Sequence, residues 1–280
     1  YGYELNENSI QNFSLEEHWR LSFTKKERII AMERLSDSHI YSAIVLMQQD
    51  VAIPKYINRN LVAIGTITEI DDIESINIYL VDIITGMVIH HTYHSNSAGP
   101  LNMVLCENFL VYSYWNKKSY RTEVSVIELY ETTIDWDSTS FSSYEGITPI
   151  VYQQTFEVNF PVSTLGITQT RRGITTHNIL FGTTGGQLLA IDKRWINPFR
   201  PIEGKGATGV MGYSPELRLY SRSFVSHNVQ VGKLKNIIST SAHLESTSLV
   251  FTWGLDQFFT HVRPADKFDM LDSDFDKVSL

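Results

Sequence analysis

The stretch from Asn178 to Asp192, NILFGTTGGQLLAID, narrows the choice of fold more than any other part of the chain. Two short apolar runs, Ile179 to Phe181 and Leu188 to Ile191, flank Thr183, Thr184, Gly185 and Gly186. A paired glycine supplies the positive φ of a tight turn, so the stretch reads as a β-hairpin. A sheet with one wet face would alternate apolar and polar residues, yet both arms are almost continuously apolar. That is the pattern of strands covered on both sides, as in the stacked sheets of a β-propeller.

Composition agrees with an all-β chain. Fourteen Tyr and fourteen Phe in 280 residues, with many Val, Ile and Thr, are side chains that pack well on a pleated surface. An apolar content of 42% is that of a chain with a core rather than a disordered one. The 23 Lys and Arg are scattered among 31 Asp and Glu, a net charge of −8, so there is no electrostatic footprint for nucleic acid. Cys106 is the only cysteine, which rules out an intrachain disulfide and leaves a small buried hydrophobe as its reading. The sequence has no run of about 18 apolar residues and no secretory leader after Tyr1. It begins without Met and is expected to be a piece of a longer protein.

Along the chain, strands are expected at His18 to Phe23 and Arg28 to Leu35, then at Leu61 to Ile67, Ile76 to Asp82 and Met87 to Tyr93. In YLVDIITGMVIH an Asp closes one strand and Thr-Gly turns into the next, the chemistry of a blade's outer hairpin. Further strands follow at Leu101 to Cys106, Phe109 to Trp115, Glu123 to Tyr130, Ile150 to Val158, Val162 to Thr168, Leu217 to Val225, Asn236 to Ser241, Ser248 to Trp253 and Gln257 to Val262. At about 40 to 45 residues per blade this gives four or five blades of a partial ring. The expected organisation is N-terminal strands and linker over residues 1–55, propeller blades over 56–160, further blades over 161–265 with a long loop at 197–215, and an acidic linker over 266–280.

Several constellations imitate functional motifs. Gly204, Gly206 and Gly209 spell G-x-G-x-x-G but lack the preceding strand and following helix of a dinucleotide site, so a loop is expected. His90 and His94 share a strand face about 13 Å apart and His91 points away, so they cannot hold one metal ion by themselves. Asp71, Asp72 and Glu74 read as solvated loop residues. Asp266, Asp269, Asp272, Asp274 and Asp276 do not have calcium-loop spacing. No nucleophile elbow or paired-His zinc motif occurs, and no catalytic, cofactor or metal residue is assigned. Asn12-Phe13-Ser14 is an N-glycosylation sequon, which matters if the chain is lumenal.

More specific strings occur in order: Gly173-Ile174-Thr175, Asn197-Pro198-Phe199-Arg200-Pro201, Tyr213-Ser214-Pro215, Leu244-Glu245-Ser246-Thr247-Ser248, Gly254-Leu255-Asp256 and Val262-Arg263-Pro264. Upstream are Asn58-Arg59-Asn60-Leu61, Tyr112-Ser113-Tyr114-Trp115-Asn116 and Glu128-Leu129-Tyr130-Glu131. From about Tyr56 to Asp276 the chain resembles the C-terminal lumenal region of the subunit 1 family of the endoplasmic reticulum (ER) membrane protein complex. The resemblance implies a large single-pass protein with lumenal β-propellers, acting as a non-catalytic scaffold without a cofactor. Its implied partners are the other subunits of that complex and client tail-anchored and multipass membrane proteins. It also implies a membrane helix beyond Leu280. Aromatic residues in long loops, Trp136, Trp195 and Phe199, are the candidate contacts, with core packing as the alternative for each. Two other readings are a quinone-type propeller dehydrogenase, which needs convergent polar groups on the ring axis, and a secreted ligand-binding propeller.

Overall fold

Antiparallel strands make up nearly all the regular structure in the computed structural model, which describes residues 1–9, 12–35, 40, 43–46, 52–131, 142–173, 175–200, 212–217, 219 and 221–263. A two-stranded ribbon comes first, β1 (Gly2–Ser9) with β2 (Asn12–Trp19). Then come β3 (Glu27–Arg34), a small ribbon of β4 (Ile44–Leu46) and β5 (Ala52–Pro54), and the strands β6 (Leu61–Ile70), β7 (Ile73–Asp82) and β8 (Val88–Ser95). The first blade has the order β3-β6-β7-β8. The second is a four-stranded meander of β9 (Ser97–Cys106), β10 (Phe109–Asn116), β11 (Arg121–Tyr130) and β12 (Ile150–Val158). The third contains β13 (Val162–Ile167), β14 (Asn178–Thr183) and β15 (Leu188–Asp192), and the fourth β16 (Asn236–Ser241), β17 (Ser248–Trp253) and β18 (Gln257–Val262).

The first strands of successive blades lie side by side, β3 against β9, β9 against β13 and β13 against β16. All four border one axial cavity of about 520 Å³. Among the described residues β3 and β16 make no comparable approach to each other, so the blades form an open arc.

Burial explains why the opening hairpin lacks alternation. In β14, Ile179 and Phe181 point into the cluster shared with Val111, Val126 and Phe156 of the second blade. Leu180, between them, points the other way, into a cluster with Ile237 and Val250 of the fourth blade. All three side chains are fully buried, each worth about 1.5–3 kcal/mol. A third cluster joins Ile76, Ile78 and Leu80 of the first blade to Leu105, Tyr112 and Ile127 of the second.

The β14–β15 hairpin forms as expected, with Gly182 opposite Leu188. Of its two turn glycines only Gly186 has positive φ, 82°. A side chain there would also place its Cβ 2.4 Å from the Val231 carbonyl oxygen, because the segment leading to the fourth blade crosses the turn. The Asp82 turn is likewise as expected. Its carboxylate accepts from the Ile84 and Thr85 amides at 2.8 and 3.1 Å, and Gly86 adopts φ 72°. The Trp19 ring lies over Gly86, and its indole N–H donates to the Ile83 carbonyl at 2.9 Å.

Three expectations need correction. His18 to Phe23 is not a strand: β2 ends at Trp19, and the chain then runs irregularly across the first blade, with Phe23 packed 5.3 Å from Tyr79. Its apolar spacing comes from packing onto a sheet face. Leu217 to Val225 is not a strand either. It holds a 3-10 turn, Ser221–Ser223, and one bridge from Phe224 to Leu189, so the fourth-strand position of the third blade is filled irregularly. Leu217, Leu219 and Phe224 still pack on the cluster between the second and third blades, without a ladder. The third concerns the acidic loop: Asp71 and Asp72 are exposed turn residues as expected, with φ 51° and 61°, in a two-residue hairpin turn that short polar side chains tolerate without glycine. Glu74 lies on β7, not in a loop, and pairs with Lys117.

The glycine triplet at 204–209, Trp136 and the acidic run at 266–276 lie outside the described residues. Among the described residues, no helix is long and apolar enough to cross a membrane.

Gly186→Ala is expected to lower stability by about 1–3 kcal/mol through positive φ and contact with Val231. Gly185→Ala, whose Cβ would meet nothing closer than 3.7 Å, should be nearly neutral. Denaturant unfolding of the two variants compares them, and equal losses would refute the assignment of the turn.

A buried charged network as candidate functional site

Three blades contribute ionisable groups to one buried site on the same rim. Lys55 follows the β4–β5 ribbon and bridges to Tyr130 at the end of β11. Cys106 ends β9, and Glu107 occupies the β9–β10 turn with φ 48°. His177 immediately precedes β14, Glu128 lies on β11, and Lys193 follows β15.

The Glu107 carboxylate is the hub. One oxygen takes Lys55 Nζ at 2.6 Å and the other takes His177 Nε2 at 3.2 Å. His177 Nδ1 donates to the Thr168 carbonyl oxygen at 2.7 Å, and Cys106 Sγ lies 3.8 Å from Nε2. Burial alone would push the imidazole's pKa down, but the bonds to Cys106 and Glu107 carry it up to about 10. Burial would raise Glu107, but His177 and Lys55 bring it down to about 2. The site therefore holds an imidazolium and a carboxylate. A second pair sits beside it: Lys193 bonds Glu128, which also accepts from the Tyr130 hydroxyl, and the ammonium lies 4.6 Å from the centre of the Phe109 ring.

Cysteine, histidine and glutamate are also the ingredients of a nucleophilic triad. Cys106 is fully buried, which leaves its sulfur no exposed face to offer a substrate in this network. What the network can do is tie the first three blades together, since leaving one buried partner without its counter-charge costs about 3–5 kcal/mol. Sequence reasoning missed this site. His177 stands 71 residues from Cys106, and no local spacing marks it.

Of the histidines that were singled out, His94 packs between the first and second blades, whereas His91 packs within its own blade. His90 and His94 do share a face. His94 is clasped by the hydroxyls of Tyr112 at 2.6 Å and Tyr114 at 2.8 Å, and burial brings its pKa down to about 4. His91 stacks on Tyr79 at 4.4 Å and bonds Asn77. Among the described residues no group of three His, Cys, Asp or Glu side chains forms a metal cage. Trp195, half-buried, packs on the cluster between the second and third blades, and its carbonyl accepts from Arg200 at 2.7 Å. Phe199 lies 4.1 Å from Tyr152 and 5.3 Å from Tyr130. Asn12 opens β2.

Meandering antiparallel sheets stacked around an axis, with their charges locked between blades, define the class as a β-propeller protein. Residues 1–265 match a family model described as "ER membrane protein complex subunit 1, second beta-propeller". The chain belongs to the ER membrane protein complex subunit 1 family. It is 34% identical to the protein of that name from Gallus gallus and 33% to that from Xenopus laevis, over 96% of this chain and 28% of each relative. The Schizosaccharomyces pombe protein is 29% identical over 98% of this chain and 32% of the relative. The chain thus spans about a third or less of the length of these relatives.

The network predicts a stability profile with two limbs. His177 titrates ordinarily near 6.5 and here near 10, so its contribution is complete below about pH 6.5 and is lost as pH climbs towards 10. Glu107, lowered from 4.5 to about 2, contributes fully above about pH 4.5 and loses its contribution as pH falls towards 2. In urea unfolding across pH, His177→Gln should cost about 3 kcal/mol near pH 6 and make the alkaline limb shallower. An unchanged alkaline limb would contradict the assignment.

Proposed function

We propose that this chain is part of a non-catalytic, lumenal scaffold subunit of the ER membrane protein complex. In this reading the subunit supports insertion of tail-anchored and multipass proteins into the ER membrane. Family membership over residues 1–265 is the observation that carries it. The geometry supports it physically: stacked blades joined by buried ion pairs make a rigid body whose rims and loops can hold partners in fixed positions. The partners in this reading are the other subunits of the complex and client membrane proteins, with membrane attachment through a helix beyond residue 280. Trp195 and Phe199, each only partly buried, are proposed contacts, as is Trp136. Asn12 is the proposed site of a lumenal glycan.

Affinity isolation of the full-length parent from mild detergent, with partners quantified by mass spectrometry, tests this reading. A fixed set of membrane and lumenal subunits in equal stoichiometry is expected. Recovery should fall in Trp195→Ala, which removes a half-buried ring at a stability cost of about 2 kcal/mol, too little to unfold the chain. The isolated protein should also show a glycosidase-sensitive mobility shift that Asn12→Gln removes. A protein recovered alone would overturn the scaffold reading.

A further inference from the structure

A half-buried cation without a counter-charge stands close to the charged network in sequence, seven residues after Lys193. Among the side chains the structure describes, the Lys and Arg that are buried or half-buried are Lys55, Lys193 and Arg200. Lys55 has Glu107, and Lys193 has Glu128. Arg200 has no carboxylate partner among the described residues. Its Nη1 donates to the Trp195 carbonyl oxygen at 2.7 Å, its Nε is enclosed without an acceptor, and the guanidinium lies 5.9 Å from the centre of the Phe156 ring. Burial lowers its pKa, and only Tyr213 acts to raise it. A guanidinium has five N–H donors, and most of these are unspent where water reaches the group only in part.

The backbone presents this side chain in a fixed position. Asp192 caps the 3-10 turn Lys193–Ile196 by accepting from the Arg194 amide at 2.8 Å. The Asn197 side chain accepts from the Phe199 amide at 2.9 Å, and the Arg200 amide donates to the Asn197 carbonyl at 3.3 Å. Trp195 and Phe199, both half-buried, stand in the same short segment. Aromatic rings and arginine together are the residue types that anchor protein interfaces.

We infer that Arg200, flanked by Trp195 and Phe199, receives a carboxylate of a partner polypeptide, an Asp or Glu side chain or a C-terminus set among apolar residues. Charge selects this occupant. The neighbouring cations Lys193 and Arg194 are already taken by Glu128 and Asp192, so one positive charge is left over, which a single carboxylate matches and a phosphate group would exceed. The inference rests on the scaffold reading and deepens it, because it names the chemistry that holds one partner.

Photo-cross-linking in the intact complex tests it. Phe199→p-benzoylphenylalanine in the full-length parent, irradiated in mild detergent, should join residue 199 to another polypeptide, at a peptide with an Asp, Glu or C-terminal carboxylate close to the link. In the same background Arg200→Gln should lower the yield of that product about tenfold, and Arg200→Lys less. Arg200→Glu should abolish it, and replacing the partner's carboxylate by Arg should then restore it, which a merely misfolded variant would not allow. No link, a link to lipid, to residues 266–276 or any other part of the same chain, or to a peptide without a carboxylate would overturn the inference. A yield unchanged in Arg200→Gln, or a failed rescue, would do so too. Such results leave the scaffold reading standing while the subunits still copurify in fixed stoichiometry, whereas a parent recovered alone overturns both.

Discussion

The Glu107 carboxylate, held between the Lys55 ammonium and the His177 imidazolium, is the interaction on which the arrangement of the first three blades depends. A carboxylate this deeply buried is tolerated only with counter-charges and hydrogen bonds at hand. The two cations come from chain segments on either side of it in sequence, one before the first blade's β6 and one before the third blade's β14. The charge can be satisfied only when those segments have docked. Apolar stacking drives the blades together, and the ion pairs fix their relative positions.

Stacking itself has a local cause. Strands such as β14 are apolar on consecutive residues because each residue serves one of two neighbouring clusters. Such a strand has no solvent face to offer, so it is stable only between two sheets, and a blade can fold fully only against its neighbours.

Much of this was legible in the sequence, for identifiable reasons. The hairpin at 178–192 and the Asp82 to Gly86 turn announce themselves through contiguous apolar runs and turn chemistry that local geometry demands. The strands of the second blade do so through branched and aromatic residues. Features that depend on distant parts of the chain were not legible. Phe23 looks like a strand residue until the blade it covers is seen, and Glu74 reads as part of the turn that it only borders. Leu217 to Phe224 keeps the apolar content of a strand while packing without a ladder. Above all, Cys106, Glu107 and His177 carry no local signature, because their meeting is a product of blade stacking.

Hydrogen exchange on the folded chain, followed by mass spectrometry, tests most directly the claim that buried charge couples the blades. In the unaltered protein, amides of β10 and β14 should exchange through one shared opening. With Glu107→Gln, those of β14 and β15 should open at a lower free energy than those of β10, separating the third blade from the second. Unchanged exchange, or an equal fall across every strand, would contradict the account and leave apolar stacking alone as the source of cohesion.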